Sequence, residues 1–277
     1  MKIIADFSHC VRSFWRNSTC DKCVKACPAG ALYVSNGRIE ATPELCAGCG
    51  LCVPACPTGV FKLDGELGPE VSCRTAGVCI GALRLEDLES LVEKYGEVML
   101  DARCDDCKFK DRAYEVVQKA KDAGLRVKVL EGRGGDVSKR FLLRRGVGAL
   151  TGERALEMRR GLPKRVKPRR GSGAAPFIDV NKCTLCGVCA GVCPTEAISV
   201  DEESELVVVH PENCVACGVC VEACDVGAIR LVEKAVDTHF LVEVVQCLNC
   251  GTVYAKNRGE CPVCGFTTRL IKEVYGL

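Results

Sequence analysis

One pattern constrains this chain more than any other: four cysteines spaced two, two and three residues apart. It occurs complete at Cys46, Cys49, Cys52 and Cys56, at Cys183, Cys186, Cys189 and Cys193, and at Cys214, Cys217, Cys220 and Cys224. A degenerate copy holds Cys20, Cys23 and Cys27, with Asn17 where its first cysteine would stand. Cysteine accounts for 24 of the 277 residues. Neighbours this close point to shared metal ions, not to distant disulfide partners. Aromatic residues make up only 5% of the chain, so small modules with thin cores need another source of stability, and bound metal supplies one. A formal charge of +2 excludes a uniformly acidic or basic protein, and 48% hydrophobic residues exclude a mainly disordered one. The start, Met1 to Phe7, does not read as a signal peptide, and no uncharged apolar stretch approaches a membrane span. The expectation is a protein of a reducing compartment, the cytoplasm.

Short β-prone segments follow the cysteine runs. Ala31 to Val34 leads into Asn36-Gly37, a tight-hairpin signal, and then Arg38 to Glu40. Ala197 to Val200 and Leu206 to Val209 predict a second hairpin. Residues 70–138 read differently. A short strand at Val71–Cys73, a helix over Leu83–Tyr95, a strand at Glu97–Leu100, a helix over Ala113–Ala123 closed by Gly124, and a strand at Leu125–Leu130 predict a small parallel α/β unit. Residues 139–170 carry twelve Lys and Arg against two Glu. They read as the start of a basic linker (139–176) with one partly helical segment, Thr151 to Arg160. The expected class is α+β: ferredoxin-like modules at 1–69 and 177–236 flanking the α/β unit, and a zinc-ribbon-like module at 237–277.

Cys-x2-Cys-x2-Cys-x3-Cys-Pro resembles the signature of the bacterial-type ferredoxins that carry two [4Fe-4S] clusters. The resemblance covers about residues 8–64 and 177–232. It implies two βαβ-like halves related by pseudo-symmetry and one-electron transfer at each cluster. It also implies crossed ligation, in which the fourth cysteine of each run serves the other cluster. One cluster of the second pair then takes Cys183, Cys186, Cys189 and Cys224, and the other takes Cys214, Cys217, Cys220 and Cys193. In the first pair one takes Cys46, Cys49, Cys52 and Cys27. The other has Cys20, Cys23 and Cys56 and lacks a fourth ligand. Cys10 is the nearest free cysteine, and the short loop to Cys20 closes at modest entropic cost. The alternatives are a three-iron cluster, or His9 as substitute. The second departure is Asp225, where the family has proline. Its carboxylate either lowers the potential of the Cys224 cluster or is simply solvated.

Cys73, Cys79, Cys104 and Cys107 fall in the α/β unit. The carboxyl ends of adjacent parallel strands converge, so all four can share one site at that sheet edge. A further iron–sulfur cluster, zinc, and free or redox-active thiols all fit the pattern, with Asp105 and Asp106 behind the ligands or in solvent. Cys247, Cys250, Cys261 and Cys264 resemble a zinc ribbon or a shortened rubredoxin, with tetrahedral thiolates around zinc or iron. Four cubanes, the central site and the knuckle together use all 24 cysteines.

Two ferredoxin-like modules in one chain resemble the polyferredoxin-like subunits of anaerobic oxidoreductases, such as tungsten aldehyde oxidoreductases, heterodisulfide reductases and hydrogenases. That resemblance implies an electron-transfer subunit working between a catalytic oxidoreductase subunit and a redox carrier such as ferredoxin. One rival is a catalytic oxidoreductase with chemistry at the central cysteines. Against it, Glu131-Gly132-Arg133-Gly134-Gly135-Asp136 is too weak for a nucleotide loop, and His9, His210 and His239 form no evident catalytic set. The other rival is a metal-stabilised nucleic-acid-binding module, in which Arg144, Arg145, Arg159, Arg160, Arg165, Arg169 and Arg170 contact phosphates, with few aromatics for stacking.

Overall fold

Asn36 and Gly37 both adopt left-handed backbone, φ +48° and +71°, as a two-residue hairpin turn demands. A computed structural model describes residues 2–73, 77–105, 107, 109–132, 155–168, 171–201, 205–233 and 238–275. The chain divides into two units, residues 1–13 with 20–163 and residues 14–19 with 164–277.

The strands of the first unit are β1 (Lys2–Asp6), β2 (Leu32–Ser35), β3 (Arg38–Ala41), β4 (Phe61–Asp64), β5 (Glu70–Val71), β6 (Val98–Ala102), β7 (Val127–Glu131) and β8 (Leu156–Arg159). β2 and β3 form the hairpin around Asn36-Gly37. β1 lies at the centre of a three-stranded sheet, with β4 antiparallel on one side and β8 parallel on the other. β8 corrects the expectation of a helix over Thr151–Arg160, of which 151–154 lie outside the described residues. Leu156 is 4% exposed and joins Ile3, Ala5 and Phe61 in one core, so pairing with β1 overrides local helical preference. Phe7 and Phe61 meet edge to face at 5.9 Å in the same core, beside Cys23, Cys52 and Cys56. In a chain so poor in aromatics, such a pair is worth about 0.5–1.5 kcal/mol beyond its burial.

β5, β6 and β7 form the parallel sheet read from the sequence, in that order. Helix Leu85–Tyr95 begins where Asp87 accepts the Arg84 N–H at 2.9 Å, and it ends at Gly96, φ +78°. Helix Lys110–Asp122 buries Ala113, Val116, Val117 and Ala120, a single stripe at helical spacing. Val71, Leu88, Val98 and Leu100 are fully buried between sheet and helices, and Leu88 alone contributes roughly 1.5–3 kcal/mol.

The second unit repeats the ferredoxin-like pattern with β9 (Ala174–Ile178), β10 (Ile198–Asp201), β11 (Leu206–Val209) and β12 (Ile229–Glu233), and adds β13 (His239–Leu241), β14 (Val244–Gln246) and β15 (Val253–Ala255). β9 pairs antiparallel with β12, as β1 does with β4. Pro176 is accommodated because β9 is an edge strand of a two-stranded sheet. β13 adds to the β10–β11 hairpin. Phe177 and Phe240 also meet edge to face, at 5.5 Å, though Phe240 comes from the added strand β13. The knuckle is the β14–β15 hairpin followed by helix Pro262–Tyr275, which the sequence reading did not place. Among the described residues no helix is long and apolar enough to cross a membrane.

Candidate metal centres

The three complete cysteine runs share an unusual backbone. In each, the second and fourth residues after the first cysteine have positive φ: Gly48 and Gly50, Leu185 and Gly187, Ala216 and Gly218. Left-handed residues in such a loop turn neighbouring N–H groups inward, as the Ala216 N–H donating to Cys214 Sγ at 3.4 Å shows, which suits an anionic centre. The fourth cysteine of each run, and Cys27 of the degenerate copy, opens a second repeated turn. The N–H four residues later donates to its sulfur: Ala31 to Cys27 at 3.3 Å, Val60 to Cys56 at 3.4 Å, Ala197 to Cys193 at 3.2 Å and Ala228 to Cys224 at 3.3 Å. The residue just before that N–H is left-handed in all four turns, at Gly30, Gly59, Glu196 and Gly227. The Cys224 turn keeps this geometry with Asp225 in place of proline, and Asp225 is exposed.

Cys10 lies beside the cysteines of the degenerate run. It lines a pocket together with Cys20, Cys23, Cys56, Phe7 and Phe61. Burial, then the neighbouring Cys56 and Cys10 sulfurs, push the Cys23 thiol up to about 12. His9 does not line this cavity; its Nε2 lies 3.9 Å from Asp6 Oδ2. Arg12 went unnoticed in the sequence. It is 7% exposed and its Nε donates to the Cys20 carbonyl at 2.8 Å, fastening the Cys10 segment to the degenerate run. A lone arginine beside a displaced cysteine was the available signal.

Cysteines of the other three sets also lie near one another. Burial raises Cys49 to about 11, with Cys27 and Cys46 close enough to add to the rise. Cys52 is raised further by burial and by Cys49, Cys46 and Cys27. In the second unit Cys183, Cys186, Cys189 and Cys224 line one pocket with Ile178 and Ile229. Burial and the Cys183 sulfur push Cys189 up to about 12. Cys220 is raised by burial, then by Cys217, Cys193 and Cys214.

The knuckle differs in scale. Cys247, Cys250, Cys261 and Cys264 have sulfurs all within 4.8 Å of one another, with Cys247 to Cys264 at 3.8 Å and Cys250 to Cys261 at 3.5 Å. A tetrahedral ion with bonds of about 2.3 Å to sulfur sets sulfurs about 3.8 Å apart, so these four fit a single metal ion. Among the described residues no other group of three or more potential ligands is that close. The Thr252 hydroxyl and N–H, with Cys261, hold the Cys250 thiol down at about 6. Asn257 donates to the Cys183 carbonyl at 2.8 Å and ties the knuckle to a cysteine loop.

At the centre, Cys73 follows β5 and Cys104 follows β6, at the carboxyl edge of the parallel sheet. Cys79 is raised to about 12 by burial, with Cys49, Cys104 and Cys73 adding to the effect. The Cys107 N–H donates to the Cys104 carbonyl at 2.8 Å in a tight turn. Asp105 accepts from the Tyr114 hydroxyl at 2.9 Å, and Asp106 lies outside the described residues.

Buried thiols that repel one another's ionisation, with N–H groups aimed at their sulfurs, fit a cationic core that takes them as thiolates. Soft thiolate sets are what iron–sulfur clusters require. Three arginines of the basic stretch have partners within the chain. Arg159 pairs with Glu157, Arg160 pairs with Glu40 and stacks on Phe7, and Arg165 pairs with Glu196. Arg144, Arg145, Arg169 and Arg170, and residues 133–136 of the glycine-rich stretch, lie outside the described residues.

No curated protein matches the chain. A family model described as the 4Fe-4S dicluster domain matches it twice, over residues 16–60 and 182–228, about a third of its length. The chain thus carries two 4Fe-4S dicluster domains, similar to the bacterial-type ferredoxins, and iron–sulfur electron transfer is the chemistry they support.

Proposed function

We propose that this protein holds four [4Fe-4S] clusters and relays single electrons between a catalytic oxidoreductase subunit and a soluble carrier such as a ferredoxin. Cys10, Cys20, Cys23 and Cys56 hold one cluster, and Cys46, Cys49, Cys52 and Cys27 the next. Cys183, Cys186, Cys189 and Cys224 hold the third, and Cys214, Cys217, Cys220 and Cys193 the fourth. The observation that carries this reading is the turn found four times, in which one backbone N–H donates to the sulfur of the crossing cysteine. Clusters of this kind supply reversible one-electron chemistry, with potentials set by charge, hydrogen bonds and solvent exposure. The chain's own residues fix those variables. The left-handed loops aim N–H groups at the sulfurs, Phe7 and Phe61 keep water from the Cys10 cavity, and Arg12 places a positive charge beside it. Cys186 is exposed, so the third cluster is the one most open to an outside partner.

The knuckle holds one metal ion, zinc as a structural staple, with rubredoxin-type iron as the other occupant of the same thiolates. Iron, acid-labile sulfide and zinc per chain, measured on protein kept anaerobic throughout, test the reading. The four sites and the knuckle require about 16 iron, about 16 sulfide and about one zinc, or about 17 iron and no zinc if the knuckle holds iron; iron beyond that belongs to the central cysteines. Cys10→Ala should leave the first site as a three-iron cluster, lowering the count by about one. Iron near zero with several zinc per chain would overturn the electron-transfer function.

A further inference from the structure

We propose that Cys73, Cys79, Cys104 and Cys107 hold an additional iron–sulfur cluster that exchanges electrons with the cluster of Cys27, Cys46, Cys49 and Cys52, a coupling that rests on the four-cluster reading above.

The site is built from the parallel sheet. One carboxylate fastens the two strand ends that carry cysteines. Asp101, its side chain 3% exposed, accepts from the Ser72 hydroxyl at 3.1 Å and from Arg103 Nε and Nη2 at 2.7 and 2.9 Å. Ser72 immediately precedes Cys73 and Arg103 immediately precedes Cys104, so Asp101 sets the separation of two ligands. The turn from Cys104 to Cys107 presents the fourth sulfur, and the Phe109 N–H donates to it at 3.5 Å. No three of these sulfurs share the close spacing of the knuckle, which favours a cluster over a single zinc ion. Cys79 belongs to both neighbourhoods, close to Cys73 and Cys104 on one side and to Cys49 on the other.

The Cys79 N–H donates to the Cys49 carbonyl at 3.0 Å. A single hydrogen bond therefore links a ligand of one site to a ligand of the other. The surrounding contacts are tight. A Cβ on Gly50 would meet the Ala82 Cβ at 2.9 Å, and one on Gly81 would meet Leu51 at 3.3 Å. Arg84 Nη2 donates to the Val53 carbonyl at 3.1 Å from the same turn. The two sites are thus packed without an intervening hinge. In the exchange one site is oxidised by one electron as the other is reduced by one; no bond to protein forms or breaks and no proton is required.

The test uses the full chain, kept anaerobic. Cys104→Ala/Cys107→Ala should lose about two to four iron and keep about 16. In partly reduced wild type, the paramagnetic signal of the cluster held by Cys46 should be broader and relax faster than the Cys10 cluster alone makes it, and the double variant should remove that excess. An unchanged iron count, or zinc lost in place of iron, overturns the site. Iron lost with the signal unaltered overturns the coupling. Should the double variant fail to fold, Cys107→Ser, which keeps the turn and removes one thiolate, gives the same readouts. Wild type with almost no iron at all would mark failure of the four-cluster reading instead.

Discussion

Gly50 is required twice over, once by backbone and once by space, and the two requirements can be separated. Its φ is +79°, and an added Cβ would lie 2.9 Å from Ala82 and 3.1 Å from Leu63. Gly218 occupies the same place in another run with φ +82°, yet nothing lies within 4 Å of its Cβ position. Gly59, in the same unit as Gly50, is also left-handed and open. A left-handed alanine costs roughly 1–2 kcal/mol. Stiffening of the unfolded chain returns about 0.4–1 kcal/mol. Gly218→Ala and Gly59→Ala should therefore each cost about 1 kcal/mol. Gly50→Ala carries the same backbone cost plus overpacking of about 1–3 kcal/mol, because the nearest atom, the Ala82 Cβ, is fixed to the backbone and cannot swing away. Loss of visible cluster absorbance in mild guanidinium, under argon, is the assay. Where opening equilibrates before cluster loss, the rate follows the open population. Gly50→Ala should then lose clusters about 5- to 150-fold faster than either control. Equal rates in the three variants would refute the claim that the Cys79 turn presses on this loop.

Asp101→Asn should lower stability by about 1–3 kcal/mol at neutral pH, since it weakens charged hydrogen bonds to Arg103 and Ser72 at a buried position. Arg103 holds the Asp101 carboxyl down at about 2 against an ordinary 3.8, so its contribution is complete above pH 3.8 and fades as pH falls through 2. The gap between variant and wild type in denaturant titrations should close over that window. Arg12→Gln should cost about 1.5–3 kcal/mol and lower the potential of the Cys10 cluster, because a buried positive charge beside it favours the reduced form; an unchanged potential in a redox titration would exclude that role. Asn257→Ala should cost about 1 kcal/mol and speed proteolysis of the knuckle while its metal stays bound, and metal loss at the wild-type rate of cleavage would contradict the tether.

The cysteine runs made most of the metal chemistry legible, because thiolate spacing is a local property. Hairpins at Asn36-Gly37 and at 198–209, and the parallel order of β5, β6 and β7, could be read for the same reason: turn residues and helical periodicity lie within a dozen positions. What escaped was non-local. Leu156 to Arg159 carries no strand signal of its own and becomes β8 only because β1 offers Ile3 and Ala5 as partners. β9 was hidden in a Pro- and Gly-rich stretch, and Pro176 argues against a strand unless the edge position is known. Helix Pro262–Tyr275 was obscured by the knuckle cysteines at its start. Arg12 and Asp101 look like ordinary charged residues until the fold sets them against Cys20 and beside Cys73 and Cys104.

The parallel pairing of β1 with β8 bears on how the chain is made. β1 can pair with β4 once residue 64 has emerged from the ribosome, but its other edge waits for residue 159. At about 5–20 residues per second that interval lasts roughly 5–20 s. Throughout it, an apolar strand stands with one row of backbone groups open to any passing chain. The first dicluster domain is therefore most exposed to mispairing while the α/β unit is still being translated, and cluster delivery during that interval would hold β4 and its cysteine run in place until β8 arrives.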